Sequence, residues 1–157
     1  MRWSAYAHDM AVPTLQVYLN RGSYPVAQAA LEGAEGTQLH YLPYYETVAA
    51  GDYRVTALPA RHYDGDGAAI YVVEGDKTLL YAHDTGYLFD EVFAYIAEKG
   101  LRFDLITLDC NYVELPVDDE GGHMGLPNIR RVVARLQEMG AVDDRTVKVV
   151  NHFSHNG

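Results

Sequence analysis

Short runs that alternate apolar with polar residues fill the first half of the chain, and longer runs of helical period enter in the second. Period two predicts strands at Thr14 to Leu19, Gln38 to Leu42, Tyr45 to Ala49 and Tyr53 to Leu58. A short helix is expected over Tyr24 to Glu32, ended by Gly33 and Gly36. Ala68 to Glu74, the turn Gly75-Asp76 and Thr78 to Tyr81 form a hairpin pattern. Then the period changes. Leu88 to Lys99 brings Leu88, Val92, Tyr95 and Ile96 onto one helical face, with Gly100 as the stop. Phe103 to Leu108 is a continuous apolar strand. Leu126 to Met139 is a second amphipathic helix, with Ile129, Val132, Val133 and Leu136 on its apolar face, and Val147 to Val150 is the last strand. Antiparallel strands followed by strand–helix alternation predict an α/β or α+β fold of layered sheet and helices.

Composition narrows the picture without deciding it. A chain of 157 residues, nearly half apolar, can bury one sizeable core. Its net charge of -10 argues against sequence-independent binding to nucleic acid or anionic membranes. No stretch is apolar for long enough to span a bilayer. With Cys110 as the lone cysteine, no intrachain disulfide can form, and a cytoplasmic location is expected.

Polar clusters stand directly after four of the predicted strands: His62, Asp84, Asp109 and His152. If those strand ends share one edge, His, Asp and His converge, which is a donor set for a divalent cation. Singly, each has an ordinary explanation: a strand-end Asp is commonly a turn or helix cap, and a strand-end His a hydrogen-bonded surface residue. His123 lies between glycines in Gly121-Gly122-His123-Met124-Gly125, where backbone can approach a ligand closely. The alternative there is a surface loop following the acidic run Asp118-Asp119-Glu120.

The order Pro59-Ala60-Arg61-His62, a hairpin, Tyr81-Ala82-His83-Asp84-Thr85-Gly86, Leu108-Asp109-Cys110, Gly122-His123-Met124-Gly125 and Asn151-His152-Phe153-Ser154-His155 resembles the metallo-β-lactamase fold. Within it, the pattern is similar to the branch of phosphoribosyl cyclic phosphodiesterases and tRNA 3′-processing endonucleases. The resemblance runs from about Thr14 to Gly157 and implies a partial αββα sandwich forming one domain over 1–157. It implies metal ligands at His62, Asp84 and His152, with Asp84 bridging two ions. His123 would meet a phosphate or assist the leaving group, and Asp109 and His155 would orient the ligands from behind. The implied cofactor is a pair of divalent ions, Zn²⁺ first, with Mn²⁺ or Fe as alternatives. The implied substrate is a small molecule, most simply a phosphodiester.

The family's His-x-His-x-Asp-His motif does not occur in this chain, and His8-Asp9 does not replace it. The resemblance therefore implies a domain incomplete at both ends: hydrolysis by the dinuclear centre would belong to a full-length parent, and this chain alone would show weak metal binding, slow or absent turnover and apolar sheet edges that favour homo-oligomers. A second reading is an inactive fragment or degenerate member acting as a binding or dimerisation module. A third, a nuclease, would use Arg130, Arg131 and Arg135, which otherwise form a solvated helix face.

Overall fold

The computed structural model describes residues 13–32, 36–62 and 68–154. A six-stranded sheet dominates, with strands β3 (Thr47–Ala50), β4 (Tyr53–Pro59), β5 (Ala69–Glu74), β6 (Thr78–Ala82), β7 (Leu105–Asp109) and β8 (Val147–Asn151) side by side in that order. The first four pair antiparallel, with short turns joining β3 to β4 and β5 to β6; β6–β7 and β7–β8 are parallel. Parallel neighbours need crossovers, and helices supply them: α2 (Asp90–Glu98) between β6 and β7, α3 (Leu126–Glu138) between β7 and β8. A separate two-stranded unit holds β1 (Leu15–Leu19), α1 (Ser23–Ala30) and β2 (Thr37–Tyr41).

Every element read from periodicity is present, within a residue or two at most ends. One expectation is corrected. The opening strands are not antiparallel: β1 and β2 pair parallel, Leu15 opposite Thr37 through Leu19 opposite Tyr41. The intervening helix is the physical reason, because a crossover returns the second strand in the direction of the first. Helix α2 also starts at Asp90 rather than Leu88. Two acids, Asp90 and Glu91, then occupy its first turn, where the exposed backbone N–H groups favour negative charge.

The core lies on the helix-covered face. Cross-strand register aligns Leu58 with Ile70, Val72 with Leu80, Leu80 with Ile106 and Ala82 with Leu108. These pack with Val92, Phe93 and Ile96 of α2 and Ile129, Val132 and Leu136 of α3 in one cluster. The opposite face carries a second set of rows, Tyr71–Tyr81–Thr107–Val149 and Val73–Leu79–Leu105–Val147. Apolar side chains on both faces explain why β5 and β7 lack clean alternation. The register also sets the edge that matters for chemistry: β4, β6, β7 and β8 end together, and each passes directly into a polar residue singled out above.

Candidate metal centre

Three imidazoles and two carboxylates meet where those strands end. His62 follows β4, Asp84 follows β6, Asp109 closes β7 and His152 follows β8. His123 comes from the loop that leads into α3. Around Asp84 Oδ1 stand His62 Nε2 at 3.1 Å, His152 Nε2 at 3.2 Å and His123 Nδ1 at 3.8 Å. His123 Nδ1 lies 3.0 Å from Asp109 Oδ2, and His152 Nε2 lies 4.0 Å from it. One donor atom from each of Asp84, Asp109, His123 and His152 falls within 4.8 Å of the others. The rings interleave: His123 stacks on His152 at 5.4 Å between centroids and meets His62 edge-on at 5.2 Å.

The donor set suits a divalent ion. Metal–nitrogen and metal–oxygen bonds of about 2.0–2.1 Å at tetrahedral angles separate neighbouring donors by roughly 3.3 Å. The His62–Asp84 and His152–Asp84 spacings sit close to that. Backbone conformation points the same way. Asp84 (φ 55°) and His152 (φ 65°) both occupy the left-handed region that residues with a side chain seldom enter. Asp84 is no helix cap either, since α2 begins six residues later after Phe89.

The two carboxylates differ in kind. Asp84 is 54% exposed, whereas Asp109 is fully buried. Asp109 Oδ1 accepts the backbone N–H groups of Asn111 (3.0 Å) and Met124 (3.1 Å). Its Oδ2 accepts the backbone N–H of Thr85 (3.3 Å) and faces His123 Nδ1. Four donors meet the roughly four lone-pair sites of a carboxylate, so Asp109 is engaged by protein on both oxygens. It fastens the three loops that carry Asp84, Asn111 and His123.

A family model for the β-lactamase superfamily domain matches residues 2–153. The chain belongs to that superfamily. No curated protein matches it in sequence. Among solved structures, the metallo-β-lactamase fold protein YhfI from Bacillus subtilis superposes with a TM-score of 0.71 at 17% identity, covering 98% of this chain and 58% of that one. A diphosphatase of the PhnP family gives 0.65 at 17% identity, covering 99% and 54%. CmlA, a diiron β-hydroxylase from Streptomyces venezuelae, gives 0.55 at 18% identity, covering 79% and 27%. At these identities the likeness is one of fold, and the chain spans little more than half the length of the first two structures.

Superfamily members bind divalent metals, and the strand-end cluster is the candidate site for one among the described residues. His155 lies outside the described residues, as does His8. The acidic run before His123 is not a loose surface loop. Asp119 pairs with both terminal nitrogens of Arg131 and accepts from Asn128 Nδ2 at 2.9 Å, and Glu120 pairs with Arg61 at 2.7 Å. Arg135 is tied to Asp90 and stacked on Phe93. Two of the three arginines on α3 are thus neutralised within the fold, which leaves the nuclease reading without a free basic face. Burial pushes the Cys110 thiol up, as befits a packed core residue rather than a nucleophile. Among the described residues, no helix is long and apolar enough to cross a membrane.

His83 escaped the sequence reading. It hydrogen-bonds Thr107 Oγ1 and packs on Tyr81 at 4.2 Å, and burial, aided by nearby His152 and opposed by Asp109, lowers its pKa. Strand alternation was the available signal: Leu80 and Ala82 point into the core, so Tyr81 and His83 point to the other face.

Proposed function

We propose that this chain carries a divalent-metal hydrolase centre directed at phosphodiesters, with His62, Asp84 and His152 as ligands. The observation that carries the reading is the gathering of His62, His152 and His123 around one exposed carboxylate oxygen, each from a separate chain segment. Zn²⁺ is the first choice for such N/O donors, with Mn²⁺ and Fe as alternatives, and by the family resemblance Asp84 would be shared between two ions. When bound, the metal supplies Lewis acidity and an activated water. The residues do the rest. Asp109 fixes the His123 ring through Nδ1, which makes Nε2 the nitrogen that trades a proton with substrate. A cationic His123 also offsets negative charge on a phosphoryl oxygen.

His123 beside the ligands can protonate an alkoxide leaving group, which a phosphodiester shares with a lactone but not with a thioester; a cationic imidazole beside the doubly oxygenated phosphoryl group favours the phosphodiester of the two. The diphosphatase among the structural neighbours agrees with phosphate chemistry but is a distant relative. We read the chain as one domain in which His62, Asp84 and His152 are three ligands, fewer than a pair of ions needs, so weak metal binding and slow turnover are expected of it alone. The alternative is a binding or dimerisation module. Titration with Zn²⁺ and Mn²⁺, followed by hydrolysis of bis(p-nitrophenyl) phosphate, separates the two. Metal-dependent turnover abolished by Asp84→Asn supports the hydrolase; no metal uptake at millimolar concentration hands the chain to the binding-module reading.

A further inference from the structure

The loop that carries His123 is held from two sides, and neither hold involves a metal or a substrate. On one side stands Gly86, two residues after Asp84. A Cβ built there would overlap the carbonyl oxygen of Gly121, lie 3.0 Å from its carbonyl carbon and reach 3.2 Å from Arg61 Cδ. Gly86 cannot step back, because its own N–H donates to the Arg61 carbonyl at 2.7 Å. The preceding residue is pinned as well: the Thr85 N–H donates to Asp109, and Thr85 Oγ1 accepts from the Arg61 N–H at 3.0 Å. On the other side, Arg61 reaches over. Its Nη1 pairs with Glu120 at 2.7 Å, its Nε donates to the Tyr87 carbonyl at 3.1 Å, and its guanidinium lies 4.2 Å above the Phe89 ring. Arg61 is the residue before His62. Three segments that supply His62, Asp84 and His123 are therefore joined through one glycine and one arginine.

The geometry points to a clasp, in which the Gly86–Gly121 contact and the Arg61–Glu120 pair position His123 over the Asp84 cluster. Gly86 and Arg61 are positioning residues: neither is a ligand, and each acts through the His123 ring. A methyl group at position 86 meets backbone rather than a flexible side-chain end. The anchored Asp84 segment holds its place and the 118–123 segment must move, which takes His123 Nδ1 away from Asp109.

The test reads the His123 ring itself, by long-range proton–nitrogen NMR on the whole metal-free chain. In the wild type, His123 should show a hydrogen-bonded Nδ1–H. Gly86→Ala should shift its ring signals to those of an unconstrained imidazole while His62 and His152 stay put. A folded Gly86→Ala with unchanged His123 signals overturns the clasp. Should Gly86→Ala not fold, Glu120→Ala decides. It removes an exposed carboxylate, and an unchanged His123 ring there overturns the proposal equally. This readout needs neither metal nor turnover, so it is independent of the hydrolase reading. A second arm rests on that reading. With Mn²⁺ and bis(p-nitrophenyl) phosphate, Gly86→Ala should lower kcat on the order of a hundredfold and add nothing to His123→Ala. Additive losses would show that Gly86 does not act through His123.

Discussion

The end of β7 and the loop after β6 each present an aspartate to the same imidazoles, yet they are built in opposite ways. Asp109 is sealed from solvent and saturated by Thr85, Asn111, Met124 and His123. Asp84 is half-exposed, sits at positive φ and faces imidazole nitrogens from three segments. A carboxylate satisfied by backbone N–H groups belongs to the fold, and one surrounded by imidazoles on strained backbone is organised for something the fold does not supply. Stability and metal binding should therefore separate between the two positions.

The largest effect should come from breaking the buried side. Asp109→Ala leaves three backbone N–H groups and the His123 Nδ1 without their acceptor in a site closed to water. A loss of about 3 kcal/mol or more is expected, read as a fall in the urea midpoint at unchanged slope. A variant as stable as the wild type would refute the contrast at its root. Asp109→Asn keeps one acceptor oxygen but turns an amide toward N–H donors, so it should fall between the two.

The exposed side should give the reverse pattern. Asp84→Asn should leave the metal-free stability, read from urea unfolding, within about 0.5 kcal/mol of wild type, because the side chain is exposed and the amide keeps an oxygen toward the imidazoles. What it should remove is the rise in Tm on adding Zn²⁺, since a ligand that binds only the folded chain stabilises it by about 2.7 kcal/mol at a hundredfold excess over Kd. His152→Ala should weaken that rise without abolishing it, because His62 and Asp84 remain. If Asp84→Asn destabilised the metal-free chain as much as Asp109→Ala, Asp84 would be a structural residue and the ligand assignment would fail.

Much of this was legible in the residues, and what was not has a definite cause. Periodicity marks α3 because Ile129, Val132 and Leu136 recur on one face, and it marks β8 through Val147, Val149 and Val150. The strand-end residues His62, Asp84, Asp109 and His152 were visible once the strands were placed. The saturation of Asp109 was not, because three of its four donors, Thr85, His123 and Met124, lie fourteen or more residues away in sequence. The acidic run Asp118-Asp119-Glu120 reads as a solvated loop for the same reason: Arg61 and Arg131 are its partners only after β4 and α3 have packed. Positive φ at Asp84 and His152 leaves no mark in residue type, since neither is glycine.

The smallest expected effect sharpens the comparison from the side of pH. Burial, with His152 nearby, lowers the pKa of His83 below the ordinary imidazole value of about 6.5. Its unfolded pKa stays near that value, so just below about pH 6.5 the unfolded chain binds the extra proton and the folded chain does not. Stability is then fully present above that pH and is lost as pH falls through the window, the loss ending once the folded chain is protonated as well. Urea midpoints measured with chelator present should show that decline, and His83→Gln, which can still bond the Thr107 hydroxyl, should flatten it. An equally steep decline in His83→Gln would show that the sensitivity does not lie on His83. Asp109→Ala should change the slope in a predictable sense: without the buried carboxylate that opposes the shift, the His83 pKa falls further and the window widens.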